Sequence, residues 1–196
     1  MCRYWLAPVT IILALTSGKT ARAEDQAAMA VVDKAIKAMG GEANLMKVKA
    51  ATWNGKGKFY GLGGGEGLDY TGNWAFHGPR LFRMVVELDL TGQKVKQTIV
   101  VNGDKGWIKN GDMVGDMDKD VLAEHQDQAY ANWTVYVNPL ALKDKTVDLS
   151  LVGDVEIYKR ITVGIRVVSK GHRDINLYFD KKTGLLVKGE WRVKDT

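Results

Sequence analysis

The chain has 196 residues, with 28 Lys and Arg against 23 Asp and Glu, a formal charge of +5. The amino-terminal segment described next carries Arg3, Lys19 and Arg22 and no acid, so its removal leaves +2, too weak a field to imply a nucleic-acid partner. The single cysteine, Cys2, leaves with that segment, which excludes disulfides, thiolate zinc sites and a cysteine nucleophile from what remains.

Residues Leu6 to Leu15 form an apolar run broken by Pro8, preceded by Arg3 and followed by a polar stretch ending Ala21-Arg22-Ala23. The run is too short to span a bilayer, and the small residues suit signal-peptidase cleavage between Ala23 and Glu24. Residues 1–23 are therefore expected to be a signal peptide, and 24–196 a single domain delivered to the periplasm or secreted. It is not expected to be an integral membrane protein after cleavage.

From Asp25 to Met39 the residues Ala28, Val31, Val32, Ala35, Ile36 and Met39 recur at helical spacing, and Gly40-Gly41 supplies a stop. A short helical piece follows at Glu42 to Val48. The period then changes to two.

Read as a strand, Ala51 to Phe59 places Trp53, Gly55, Gly57 and Phe59 on one face and Thr52, Asn54, Lys56 and Lys58 on the other. Leu68 to Phe76 repeats the arrangement, with Leu68, Tyr70, Gly72, Trp74 and Phe76 together. Both apolar faces have glycine gaps between large rings, which let a sheet curl or leave room for a helix or a ligand. Gly61 to Gly67 form a hairpin tip.

Phe82 to Leu90 alternates most clearly, with Phe82, Met84, Val86, Leu88 and Leu90 on one side. Similar runs occur at Val95 to Val101, Val147 to Leu151, Ile175 to Phe179, and through Leu185, Val187, Trp191 and Val193. The turn pairs Thr91-Gly92, Asn102-Gly103, Asn110-Gly111, Lys170-Gly171 and Thr183-Gly184 separate strands and imply antiparallel neighbours. One helix, Asp118 to Asn132 with Asp118 at its start, interrupts the meander. This order predicts an α+β domain whose helices cover one sheet face.

Catalytic signals are sparse. His77, His125 and His172 stand in separate segments without ligand spacing, and no metal is expected. The run Asp116 to Asp127 lacks the glycine and the terminal glutamate of a calcium loop. No serine lies in a nucleophile elbow, and the glycines of 55–61 do not have dinucleotide spacing. The tryptophans Trp53, Trp74, Trp107, Trp133 and Trp191, with several methionines, suit an adaptable apolar lining as well as a core.

Four segments resemble the periplasmic carriers of outer-membrane lipoproteins (LolA/LolB-like) and their secreted relatives: KAIKAMGGEANLMKVKA (34–50), PRLFRMVVEL (79–88), VNGDKGWIKNGD (101–112) and NLYFDKKTGLLVKGE (176–190). The resemblance implies a strongly curved antiparallel β-sheet, an unclosed half-barrel, with helices covering the concave face. It also implies a non-enzymatic binding or carrier protein for lipid, or for the acyl chain of a lipoprotein, with no cofactor and no catalytic residue. Val32, Ile36 and Met39 would then lie over the concave wall. Phe82, Met84, Val86 and Leu88 would line that wall with Trp53, Phe59, Tyr70 and Trp74, and Trp107 matches a position where relatives carry an aromatic.

The proteins it resembles usually continue with several more strands beyond the position of Thr196, so either a shortened relative or a truncated gene product is expected, with an unpaired edge strand in both cases. Two other readings stay open at this level. One is an envelope sensor or scaffold that binds a protein through that edge. The other is a hydrolase or isomerase using carboxylates on an apolar substrate.

Overall fold

The computed structural model describes residues 17–60, 65, 67–90 and 92–194. The apolar run at 6–15, expected to belong to a signal peptide, and much of the expected hairpin tip at 61–67 lie outside them. Helix α1, Ser17–Ala38, buries Ala28, Val32, Ala35 and Ile36, the stripe that the helical period marks. It stops where Gly40 and Gly41 adopt φ 100° and 87°, with the Gly41 N–H donating to the Ile36 carbonyl at 2.9 Å, a glycine C-cap. The short α2, Glu42–Leu45, follows.

Six strands then form a continuous antiparallel meander: β1 Ala50–Phe59, β2 Leu68–His77, β3 Leu81–Leu90, β4 Gln93–Asn102, β5 Lys105–Asn110 and β6 Met113–Asp116. Helix α3, Lys119–Asn132, is capped by the Asp118 carboxylate, which accepts the N–H groups of Asp120 and Val121 at 3.0 and 2.9 Å, as the sequence suggested. It runs on into a π-helical turn, Trp133–Val137, and a 3-10 turn, Pro139–Lys143. Four more antiparallel strands complete the chain: β7 Val147–Ile157, β8 Arg160–Ser169, β9 Ile175–Asp180 and β10 Leu186–Trp191, ordered β10-β9-β8-β7.

The expected α+β architecture with unclosed antiparallel strands is formed, and it is divided into two sheets, of six and four strands. The cause lies between β6 and β7. Strand β6 is four residues long, and the chain then turns into helix, so no ladder extends from it to β7.

Strand β8 is nearly continuous in apolar residues, with Ile165 and Val167 buried. It lacks the alternation that marks the others. In β10 a register shift between Leu186 and Lys188 puts Leu186 against the core and leaves Leu185 exposed, where alternation from Leu185 would have buried the latter.

Among the described residues there are two cores. Ala28, Val32, Ala35 and Ile36 of α1 pack with Leu149, Ile165, Val167, Ile175, Leu177 and Phe179 of the four-stranded sheet. Phe76, Phe82, Ile99 and Val101 of the six-stranded sheet pack with Ala129, Trp133 and Val137. Because Ala131 and Val135 enter the first core and Ala129, Trp133 and Val137 the second, α3 and its π turn are apolar on two opposite faces. They form a spine between the sheets.

Candidate functional site

The β1–β2 register pairs Trp53 with Trp74, Gly55 with Gly72 and Gly57 with Tyr70. Through β3 and β4 the rows continue as Trp74–Met84–Ile99, Gly72–Val86–Gln97 and Tyr70–Leu88–Val95. All of these residues share one face of the six-stranded sheet, because paired residues point the same way.

The glycine gaps face the aromatic side, as alternation required, but they are not empty. A Cβ added at Gly72 would stand 2.2 Å from the Trp74 ring, and one at Gly55 3.1 Å from it; at Gly57 it would meet the Tyr70 ring at 3.2 Å. Each gap is the seat of a neighbouring ring. Gly72→Ala is therefore expected to lift the Trp74 indole off the sheet and destabilise the fold by about 1–3 kcal/mol. Gly55→Ala should cost less. A red-shifted tryptophan emission with a lowered thermal midpoint would confirm the first, and unchanged emission would refute it.

The rings join into one path. Phe82 contacts Phe76 at 4.7 Å between centroids, Phe76 stacks on Trp53 at 4.8 Å, and Trp53 stacks on Trp74 at 6.4 Å. Tyr70 meets Trp74 edge-on at 6.3 Å. From Trp53 the path crosses to the other sheet: Tyr136 of the π turn stands edge-on to Trp53 at 6.3 Å and to Trp191 of β10 at 6.2 Å. Burial, then the nearby Tyr70, push the Tyr136 hydroxyl above the ordinary tyrosine range, so this end of the path stays neutral across physiological pH.

Cover over this face is uneven. Phe76 and Phe82 are buried under Trp133 and Val137, with Trp53, Trp74 and Met84 packed at their margin. Tyr70, Val86 and Leu88 are half-buried, Val95 and Phe59 are exposed, and Tyr136 is 48% exposed. On this face Gln97 Nε2 donates to Asn110 Oδ1 at 3.0 Å.

Of the expected lining, Trp53, Tyr70, Trp74, Phe82, Met84, Val86 and Leu88 do come together, with Phe59 at the exposed end. Two corrections apply. Trp107 pairs with Val100, which places it on the opposite, polar face, because Ile108 occupies the inward position on β5. Val32 and Ile36 belong to the core of the four-stranded sheet, with Met39 at its edge, and do not lie over Phe82 or Met84. An amphipathic stripe specifies an apolar partner without saying which one. Tyr136 is not marked by the sequence pattern, and Trp191 is marked only as one of the tryptophans that suit either a lining or a core. Tyr136 lies beyond Asn132, where the helical reading ended, and only the π turn aims it at the seam.

Two grooves, of about 490 and 600 Å³, lie along the polar face of the same sheet among Lys56, Lys58, Thr71, Glu87, Lys94 and Lys96. Ion pairs cross them, Lys58 to Asp69 at 3.1 Å and Lys94 to Glu87 at 2.9 Å. A larger open groove of about 1070 Å³ runs beside α3 and the β8–β9 turn. There Arg173 bonds the buried Glu124 and, through Nε at 3.0 Å, Asp127, which also holds His172 at 2.8 Å. His172 in turn stacks on Tyr130 at 3.5 Å. Among the described residues no group of three His, Cys, Asp or Glu is arranged to hold a metal. No helix of the described residues is long and apolar enough to cross a membrane.

No protein-family model and no curated protein matches the chain. Several solved structures are similar in fold. A DUF1329 family protein from Desulfovibrio piger is 10% identical over 85% of this chain and 74% of its own, with a TM-score of 0.46. A putative outer membrane lipoprotein-sorting protein domain from Vibrio parahaemolyticus is 8% identical over 85% and 73%, also at 0.46. MucB, in the MucA/MucB complex of Pseudomonas aeruginosa, is 17% identical over 82% of this chain and 51% of its own, at 0.31.

Proposed function

We propose that the protein is a non-enzymatic binding protein of the bacterial envelope that holds a lipid acyl chain against the aromatic face of its six-stranded sheet. One observation carries this reading: the apolar rows continue through Tyr70, Val86 and Leu88 beyond the part that Trp133 and Val137 cover. Met84 to Leu90 advances the apolar wall by about 20 Å at ~3.4 Å per residue, a length that suits an extended acyl chain. Rings and aliphatic side chains supply contact without hydrogen-bonding demand, and Gln97 donates one hydrogen bond to Asn110 within the same face.

The affinity should follow chain length. Each buried methylene contributes about 0.8 kcal/mol, or ~4-fold in Kd, so a homologous series of fatty acids competing with a fluorescent acyl probe should bind progressively tighter until the wall ends. Leu88→Asp should weaken binding by ~10-fold or more while the protein stays folded. Protein purified without detergent that yields no extractable lipid and takes up no acyl probe would end this reading. So would a Leu88→Asp variant that binds as tightly as the parent.

Delivery across the inner membrane by residues 1–23 belongs to the same proposal. The amino terminus of protein from the envelope fraction should read Glu-Asp-Gln-Ala, beginning at Glu24. Retention of Met1 in that fraction would contradict it.

A further inference from the structure

The β7–β8 hairpin closes on a two-residue turn. Ile157 pairs with Arg160 across it, and Tyr158 and Lys159 adopt φ 50° and 62°. Two successive left-handed residues make a type I′ turn, a geometry that Asn-Gly fills at little cost and larger side chains resist. Every other positive-φ residue described is glycine. The chain therefore keeps a tyrosine and a lysine where a more stable turn was available, and Tyr158 is 81% exposed. Strain of this kind points to a contact made by the side chains it displays.

The surroundings indicate what is contacted. Ile161, Val155 and Leu185 are exposed beside the tip, Ile161 at 55%. Pairing of Thr162 with Asp180, and an N–H of Lys181 donating to the Ile161 carbonyl at 3.0 Å, bring the β9–β10 turn alongside. That turn carries Lys181 and Lys182, and Lys34 of α1 reaches the Lys181 carbonyl at 2.5 Å. With Lys159 and Arg160 the cations outnumber the acids Asp154, Glu156 and Asp180. Two of those acids are engaged: Asp154 by Lys181 at 2.6 Å, and Asp180 by the Lys182 and Thr183 N–H groups at 2.8 Å.

We propose that this end of the four-stranded sheet docks on an anionic phospholipid surface. Tyr158 sits at the headgroup level, Ile161 and Leu185 enter the interface, and Lys159, Arg160 and Lys182 lie over the phosphates. An amphipathic ring next to aliphatic side chains and surplus lysines is the composition of such an interface. The tip presents Tyr158 to solvent, and the surplus of cations beside it complements an anionic surface. The inference goes beyond acyl binding and does not require it.

The test is cosedimentation of the full chain with vesicles of phosphatidylcholine alone and of phosphatidylcholine mixed with phosphatidylglycerol. Binding to the anionic vesicles only, weakened by salt, is expected. Tyr158→Asn and Lys159→Gly should each keep or raise the thermal midpoint, because they relax the turn, yet lower vesicle binding roughly fivefold. Acyl-probe uptake by both variants should be unchanged, which separates failure here from failure of the carrier reading. The proposal is overturned if the parent ignores anionic vesicles, or if the variants bind them equally well. Loss of a protein partner by the variants, with vesicle binding intact, would overturn it in favour of a protein contact.

Discussion

Arg173→Ala is expected to destabilise the protein by about 3 kcal/mol at neutral pH, near the lower end of the range for breaking a buried ion pair because the arginine itself is partly exposed. Its partner Glu124 is only 3% exposed. The carboxylate accepts bonds from Arg173 and from Gln128 Nε2 at 3.0 Å, while Arg173 Nη1 also donates to the Arg192 carbonyl at 2.6 Å. One guanidinium therefore ties α3, the β8–β9 turn and the segment after β10 together. Removing it strands a buried charge and frees three segments at once.

The same cluster sets an acid dependence. Burial pushes the Glu124 carboxyl up, but the Arg173 hydrogen bond, Gln128 and the Lys194 backbone together outweigh it and hold the group below the ordinary glutamate range. A depressed pKa contributes stability above the unfolded value of roughly 4.3 and loses it as pH falls through the folded value. In Arg173→Ala the main depressing partner is gone and burial remains. Its deficit against the parent should therefore shrink as Glu124 protonates. Urea midpoints of the two proteins at neutral pH and at pH near 3 would show this. Equal midpoints at neutral pH would mean that the pair contributes nothing.

Phe82→Ala should cost about 3–5 kcal/mol, whereas Leu88→Ala, six residues along the same strand and face, should cost about 1 kcal/mol. Phe82 is 4% exposed and lies against Phe76 under the π turn. Leu88 is half-buried, in the row between Tyr70 and Val95. Chemical denaturation of both variants decides between a face that is core throughout and one with a covered root and an available outer half. Comparable losses at both positions would make Leu88 core and remove the ground for acyl binding. A small loss at Leu88, with weakened probe uptake, would support it.

Much of the local structure is legible in the residues. Alternation in Phe82 to Leu90 identified β3 and its buried side, Gly40-Gly41 ended α1, Asp118 capped α3, and the face bearing Gly55, Gly57 and Gly72 was the apolar one. These features depend on neighbours within a few residues, where backbone geometry alone fixes which way a side chain points. Strand β8 escaped because a strand buried nearly throughout has no polar side to alternate with. Other features arise only when distant segments meet. Periodicity records that Val32 and Ile36 need an apolar partner, but only packing chose the four-stranded sheet over Phe82 and Met84. Ring torsions, set by the space each side chain finds, turned the glycine gaps into seats for Trp74 and Tyr70. The π turn carried Tyr136 to the seam between Trp53 and Trp191, and the fold alone joined Glu124 to Arg173. A sequence specifies the chemical demand at each position; which group meets that demand is decided by the three-dimensional arrangement, because the candidates are many and far apart along the chain.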